Sequence, residues 1–304
     1  MPDKRATLIT PEVLRRIPLP VPDRGGDKEE RGRVLLVGGG RETPGALVLA
    51  GEAALRAGAG KLQVATGACV APLVASRLPE ARVFALPESK KGKLKPSAAV
   101  GLRERFGGAQ CVCIGPGMIE DESVAFFVRA ALRFCREVPV VLDAGAVACL
   151  SAGRELLHEL QGRAVVTPNA DELADIFGED KDALTARALD TALRAAREFR
   201  CVVALKGRET FIASPDGRAY VNRAGTVGLA TSGSGDVLAG VIAGLVARGA
   251  EPFAAAAWGV HVHALAGERL SERLGPLGLL ARELPGEIPG VMRELSESKK
   301  GRAR

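Results

Sequence analysis

Residues 230–240 read ATSGSGDVLAG, where small residues and glycines lead into one carboxylate, Asp236, and an apolar helical pattern begins. Glycines let successive backbone N–H groups turn toward one point as an anion nest. A helix that starts there adds unpaired N–H donors and the positive end of its dipole. Such a cradle stabilises the charge on a transferring phosphoryl group. Asp236, at its edge, can accept the proton of a hydroxyl that attacks phosphorus. The competing reading makes Asp236 a helix cap. The segment KGRET, Lys206 to Thr210, lies shortly upstream and strengthens the phosphoryl reading.

The familiar nucleotide signatures are absent. From Gly38 a GxGxxG pattern needs glycine where Thr43 stands, and from Gly115 it needs glycine where Glu120 stands. There is no GxxxxGK[ST] either, so neither a Rossmann fingerprint nor a P-loop is present.

Other elements must bring these residues together. RVLLVGG, LQVAT, VFALP, CVCIGPG, VPVVLDAG, AVVTPN and CVVALKG are apolar runs, mostly separated by helix-like segments. Continuous β-branched runs predict parallel strands covered on both faces, and the alternation predicts a doubly wound α/β sheet in three layers. Thr43 is placed to cap the helix after the first run, with Pro44 at its first position and Gly58 just past its end. TFIASPDGRAYVN reads as a hairpin around PDG, followed by helices over 234–248 and 252–273. In open α/β sheets ligands bind beyond the carboxyl ends of the strands. GGGRETPG, GPGM, DAG, TPNADE and KGRET each begin where an apolar run stops. Asp143, Asn169, Lys206 and Asp236 are therefore expected along one rim. No linker or internal repeat divides the chain. The reading is one domain over residues 1–304, with 1–30 as an N-terminal extension and 296–304 as a flexible basic tail.

With 304 residues and 47% hydrophobic content the chain supports a sizeable core, built mostly from Ala, Val and Leu because aromatics are 4%. No segment offers a membrane span, and the N-terminus has charges and prolines where a signal peptide needs an apolar run. The six cysteines lack CxxC spacing, so the expectation is reduced core thiols in a cytoplasmic protein, not zinc. The net charge of +6 comes partly from the tail and from KKGKLK at 90–95, read as solvated segments. A cofactor phosphate over KKGKLK is the alternative. No basic stripe carries interleaved aromatics, so nucleic acid is not expected as a partner; an anionic small molecule suits the charge.

ATSGSGDVLAGVIAGLVARG resembles the anion-hole segment of the ribokinase-like superfamily, and more specifically of its ADP/ATP-dependent NAD(P)H-hydrate dehydratases. The likeness runs from GRVLLVGGGRETPGALVLAGEAALRAGAG through IGPG, VLDAGAV, VVTPNADE and LKGRETFIASPDGRAYVNRAGTVGLATSGSGDVLAG to GVHVHALAGE, covering most of residues 31–270 in order. The resemblance implies a three-layer ribokinase-like fold and a repair reaction. The hydroxyl of a nicotinamide cofactor hydrated at C6 is phosphorylated by ADP or ATP, phosphate leaves, and the dihydronicotinamide returns. It implies Asp236 as the base on that hydroxyl and Gly233, Ser234 and Gly235 as the anion hole. Lys206, Gly207, Arg208, Glu209 and Thr210 would hold the nucleotide, with Gly235 near it. Ala46, Gly117, Asn169 and Asp236 would meet the hydrated cofactor, with Mg²⁺ on the phosphates. Small-residue helices and the resemblance together suggest a homo-oligomer, with a tetramer favoured.

Three positions depart from the family's usual pattern. Asn169 stands for a substrate-contacting histidine, Gly145 for a second aspartate of DADAL, and Ser232 for a glycine. Asn169 and Glu172 instead have the spacing of the NxxE element of related vitamin-precursor kinases, where the pair organises water around Mg²⁺. A ribokinase-like kinase of a small alcohol is thus the alternative function, and a nucleotide-binding regulator without turnover is the second. His261 and His263 do not share a helical face, which makes them poor joint metal ligands. They and Trp258 are read as packing or subunit-contact residues.

Overall fold

The computed structural model describes residues 6–23, 25 and 27–297. Its strands are β1 (Thr7–Leu8), β2 (Arg33–Val37), β3 (Lys61–Gly67), β4 (Ala81–Leu86), β5 (Cys111–Ile114), β6 (Val140–Leu142), β7 (Ala164–Val166), β8 (Val202–Leu205), β9 (Thr210–Ala213) and β10 (Ala219–Asn222). They form one sheet in the order β1-β10-β9-β8-β7-β6-β5-β2-β3-β4. Every pairing is parallel except those of β9, which runs against both neighbours. The PDG turn closes the β9–β10 hairpin, with the Ser214 N–H donating to the Arg218 carbonyl at 2.9 Å.

The helices are α1 (Pro11–Arg16), α2 (Gly45–Arg56), α3 (Ala71–Arg77), α4 (Ser97–Gly101), α5 (Arg103–Gly107), α6 (Glu122–Leu132), α7 (Gly145–Ala148), α8 (Ala170–Phe177), α9 (Lys181–Ala186), α10 (Ala188–Phe199), α11 (Ser234–Ala247), α12 (Pro252–Leu274) and α13 (Leu284–Ser296). Apolar side chains alternate across the sheet. Val34 and Leu36 join one core with α2, α11, α12 and α13, while Leu35 and Val37 join the other with α6, α8 and α10. Both faces are covered, which is why the central runs show no polar alternation. β4 lies at a sheet edge, and most of it is only partly buried.

The small residues of α11 are used inside the chain. A Cβ on Gly240 would stand 2.2 Å from the Ala50 carbonyl, so α11 and α2 pack backbone to backbone. Residues 7–17 are also integrated. β1 pairs with β10, and the buried Trp258 donates from Nε1 to the Ile17 carbonyl at 2.8 Å. Five cysteines are core residues as expected, whereas Cys69 is exposed. Burial pushes the Cys135 thiol up to about 12 and Cys149 to about 11. No described helix is long and apolar enough to cross a membrane. Residues 298–304 of the basic tail lie outside the described residues.

Candidate active site

Because the strands that end in motifs are parallel, their carboxyl ends share one rim, and short bonds fasten the loops there. The Gly39 N–H donates to the Pro116 carbonyl at 2.8 Å, and the Lys206 N–H to the Pro168 carbonyl at 2.8 Å. Chain order reverses between β2 and β5, so Gly38–Gly40 and Gly115–Gly117 flank a switch-point crevice.

At the end of β6, Asp143 is 2% exposed. One carboxylate oxygen accepts from the Thr167 hydroxyl at 2.7 Å and from Lys206 Nζ at 2.8 Å. Lys206 is thus drawn inward at the end of β8. Burial works against its ammonium, but Asp143, Glu172 and Asp236 outweigh it and hold the pKa above the ordinary lysine value. A methyl on Gly235 would stand 3.7 Å from both Lys206 Nζ and Asp143 Oδ2, so the glycine loop faces this pair.

Asp236 sits in the first turn of α11 without capping it. The N-cap position is Gly233, in the left-handed region at φ 89, and no side chain caps the helix. Burial, reinforced by the negative charge of Asp143, raises the Asp236 pKa to about 7, against the pull of Lys206 and of the Gly117 N–H that donates to it. A carboxyl tuned there exchanges protons near neutral pH. Ser234 is buried, and its hydroxyl pairs with His263 Nε2 at 3.1 Å. Burial lowers the His263 pKa to about 4, so the ring is neutral at pH 7. His261 points elsewhere and meets Asn222 Oδ1 at 2.8 Å.

Thr43 does not cap α2. Pro44 occupies that position without a side-chain cap, and Gly58 follows the helix end as expected. The Thr43 hydroxyl instead donates to the Gly117 carbonyl at 2.6 Å and ties the two crevice loops together. Gly117 has φ +70, and a Cβ there would lie 2.8 Å from Ala46 Cβ. Ala46, Gly117 and Asp236 are therefore brought together. Gly207 and Arg208 are exposed beyond β8, Thr210 begins β9, and Glu209 pairs with Arg223 at 2.6 Å.

Asn169 and Glu172 form a reciprocal capping box at the start of α8. Asn169 Oδ1 accepts from the Glu172 N–H at 2.8 Å, and Glu172 Oε2 accepts from the Asn169 N–H at 2.7 Å. Burial raises the Glu172 pKa despite Lys206 and the Asn169 N–H. Among the described residues no three His, Cys, Asp or Glu gather into a metal cage. Glu172 has one carboxylate oxygen outside the capping box, which fits Mg²⁺ carried on phosphates and water rather than a stripped ion.

The model of the NAD(P)H-hydrate dehydratase family matches residues 34–290. The chain belongs to this family. It is 47% identical over 297 residues to the ADP-dependent (S)-NAD(P)H-hydrate dehydratase of Xanthomonas campestris, covering 97% of this chain and 99% of that one. The bifunctional repair enzymes of Moorella thermoacetica and Thermofilum pendens are longer, and the chain spans about half of each. The ADP/ATP-dependent NAD(P)H-hydrate dehydratase of Bacillus subtilis, co-crystallized with ATP/Mg²⁺, superposes with TM-score 0.79 at 28% identity, covering 96% of this chain and 100% of that one. A ribokinase-like superfamily protein of Enterococcus faecalis superposes with TM-score 0.81 at 25% identity over 96% of each chain. The three-layer ribokinase-like fold is thus the architecture of this chain.

Two features of this family member escape its sequence. His263 reads as helix packing, and only tertiary structure brings it to Ser234. The KKGKLK run reads as a solvated loop, yet residues 88–94 form an ordered turn, with Glu88 and Leu94 bridged and the Ser89 N–H on the Lys93 carbonyl at 2.8 Å. Arg41 clasps that turn through Glu88 at 2.9 Å and the Lys90 carbonyl at 3.1 Å, and also donates to Cys69 Sγ at 3.3 Å.

Proposed function

We propose that the chain restores hydrated NADH or NADPH, with ADP or ATP as phosphoryl donor. The observation that carries this is the Asp236 carboxyl, tuned to about 7 beside a helix start that no side chain caps. Its membership of the dehydratase family and the names of its relatives supply the substrate class.

In this reading the nicotinamide ring lies against Ala46 and Gly117, with its C6 hydroxyl at Asp236. Asp236 takes the hydroxyl proton as the oxygen forms a bond to the donor's terminal phosphorus and the bond to the donor breaks. Backbone N–H groups of Gly233 and Gly235 hold the charge on that phosphoryl group, and that of Ser234 joins them by giving up its 3.2 Å bond to the Thr231 carbonyl. Lys206 to Thr210 hold the donor, with the Lys206 ammonium turned toward the same point. The C6–O bond then breaks, the C5 proton is lost, and phosphate departs with the oxygen. Mg²⁺, when bound, neutralises charge on the donor phosphates, and Asn169 and Glu172 would hold it through water.

The kinase reading rested on the Asn169–Glu172 spacing, and the capping box accounts for that spacing without a metal. Glu172→Gln separates the two roles, because the amide oxygen can still accept from Asn169 while the charge is gone. We expect the α8 start to survive and the Mg²⁺ response of activity to weaken. A homo-oligomer, with a tetramer favoured, and a cytoplasmic location belong to the same proposal. The decisive experiment incubates the protein with hydrated NADH or NADPH and ADP or ATP, and follows recovery of dihydronicotinamide absorbance. No recovery with either donor would overturn the assignment.

A further inference from the structure

The switch-point crevice continues past the reacting end. A shallow, solvent-open cleft begins beside Gly117 and runs over Gly40 and Arg41 to Lys91 and Lys93. We propose that this cleft holds the dinucleotide part of the hydrated cofactor, with Lys91 and Lys93 meeting its phosphates. The proposal rests on the dehydratase reading, which puts the hydrated ring at Gly117 and Asp236. From that ring a ribose and a diphosphate must lead away. The donor nucleotide is assigned to the other side, at Lys206–Thr210 and the 233–235 loop. The cleft beside Gly117 leaves the ring's position in the remaining direction.

Its walls suit such a guest. Met118, Val124 and Phe127 contribute apolar lining. Arg41, Lys91 and Lys93 line it as well, against one acidic lining residue, Glu42. Arg41 is committed to Glu88, Cys69 and the Lys90 carbonyl, so it fixes the wall. Lys93 has a loose partner in Asp121 at 3.6 Å, and among the described residues Lys91 makes no ion pair. The two ammonium groups are therefore available on a turn that is already ordered, which lowers the entropy cost of gripping a phosphate. The Thr43 bond to Gly117 joins the loop under the phosphates to the loop under the ring.

The test is equilibrium binding of NADPH and NADH with ADP saturating, so that the donor site is filled. It compares the wild type with the Lys91→Ala/Lys93→Ala double variant. Lys91 is exposed and Lys93 half-buried on a surface turn, and a matched melting temperature checks the fold. We expect dinucleotide affinity to fall about tenfold or more, its salt dependence to flatten, and ADP affinity to stay unchanged. A larger loss for NADPH than for NADH would locate the extra phosphate at these lysines; equal losses would locate the diphosphate. Dinucleotide affinity within twofold of wild type, an equal loss for ADP, or a wild type that binds neither dinucleotide would overturn the proposal. Turnover of the hydrated cofactor is measured separately on the wild type. If it fails while the lysine-dependent binding holds, the dehydratase reading falls and the cleft assignment stands.

Discussion

Two helices begin on the same rim and treat their first turns in opposite ways. α8 satisfies its own start, with Asn169 and Glu172 each bonding the other's backbone N–H. α11 starts from Gly233 with no side-chain cap, and the polar groups that could have served are turned elsewhere. Ser234 goes to His263, and Asp236 faces Gly117, Asp143 and Lys206. A helix N-terminus has four backbone donors that need partners. Where the sequence supplies the cap, side chains take up the helix's first donors; where it withholds one, the donors that no backbone carbonyl takes remain for an anion. The difference separates a support from a reaction site more sharply than burial does, since both starts are half-buried.

The largest effect should come from removing the acid at the open helix. Asp236→Asn keeps size but loses the base, and turnover should fall by roughly 10²–10⁴ while ADP affinity stays near wild type. Melting temperature should not drop, because Asp236 does not cap. At pH above about 7 it should rise, for the following reason. The folded-state pKa is raised, so the folded chain holds a proton that the unfolded chain has lost between the ordinary carboxylate range and about 7. Stability therefore declines as pH rises through that window, and an amide removes the penalty. Full turnover with a lowered melting temperature would make α11 an ordinary capped helix and erase the contrast.

Next in size is the pH profile. Activity should fall about tenfold per unit below the Asp236 pKa, as the base is protonated. Asp143→Asn removes the like charge that holds this pKa up and frees Lys206 to pull it down, so the acid limb should move to lower pH. An unmoved limb would show that Asp143 does not act on Asp236.

A smaller loss, about tenfold in kcat with little change in ADP affinity, is expected for His263→Ala, scored as roughly 1.4 kcal/mol in the transition state. His263 does not reach the reacting atoms but orients Ser234 at the anion hole. His263→Asn, whose amide can still bond a hydroxyl, should recover part of the rate if position is what matters. The smallest effect belongs to the closed helix. Asn169→Ala should cost about 1 kcal/mol of stability, read from chemical denaturation. The Mg²⁺ response should weaken as for Glu172→Gln, and a loss of turnover that persists at saturating Mg²⁺ would mean that the α8 start also touches the substrate.

The rim, the parallel strands and the candidate base were legible because glycines and single charged residues follow uninterrupted apolar runs. The small-residue loop before Asp236 left its carboxylate two uses, base or helix cap, and the structure removes the second. What was not legible depends on contacts far apart in sequence. Thr43 has the right type and place for a cap, but Gly117, brought beside it by the β2–β5 crossover, takes its hydroxyl. Asn169 and Glu172 are ambiguous because a capping box and a metal pair share the same spacing of three. His263 lies on an apolar helix, and its partner is 29 residues away at the start of α11. Lysines near a Gly look like solvent-facing punctuation until Arg41, contributed by another strand end, fastens their turn.

Cys69 gives this layout a practical handle. Five thiols are sealed in the core, and those of Cys111, Cys113, Cys135, Cys149 and Cys201 are pushed up by burial, which keeps them out of the reactive thiolate form. Cys69 alone is exposed, and it touches the same Arg41 that clasps the lysine turn, with its own hydrogen bond to Glu88 at 3.2 Å. A fluorophore coupled by thiol chemistry should therefore attach at one place without any cysteine being engineered away. It would stand beside Arg41 of the cleft wall as a built-in optical reporter, sensing a guest's arrival while the chemistry proceeds at the other end of the crevice.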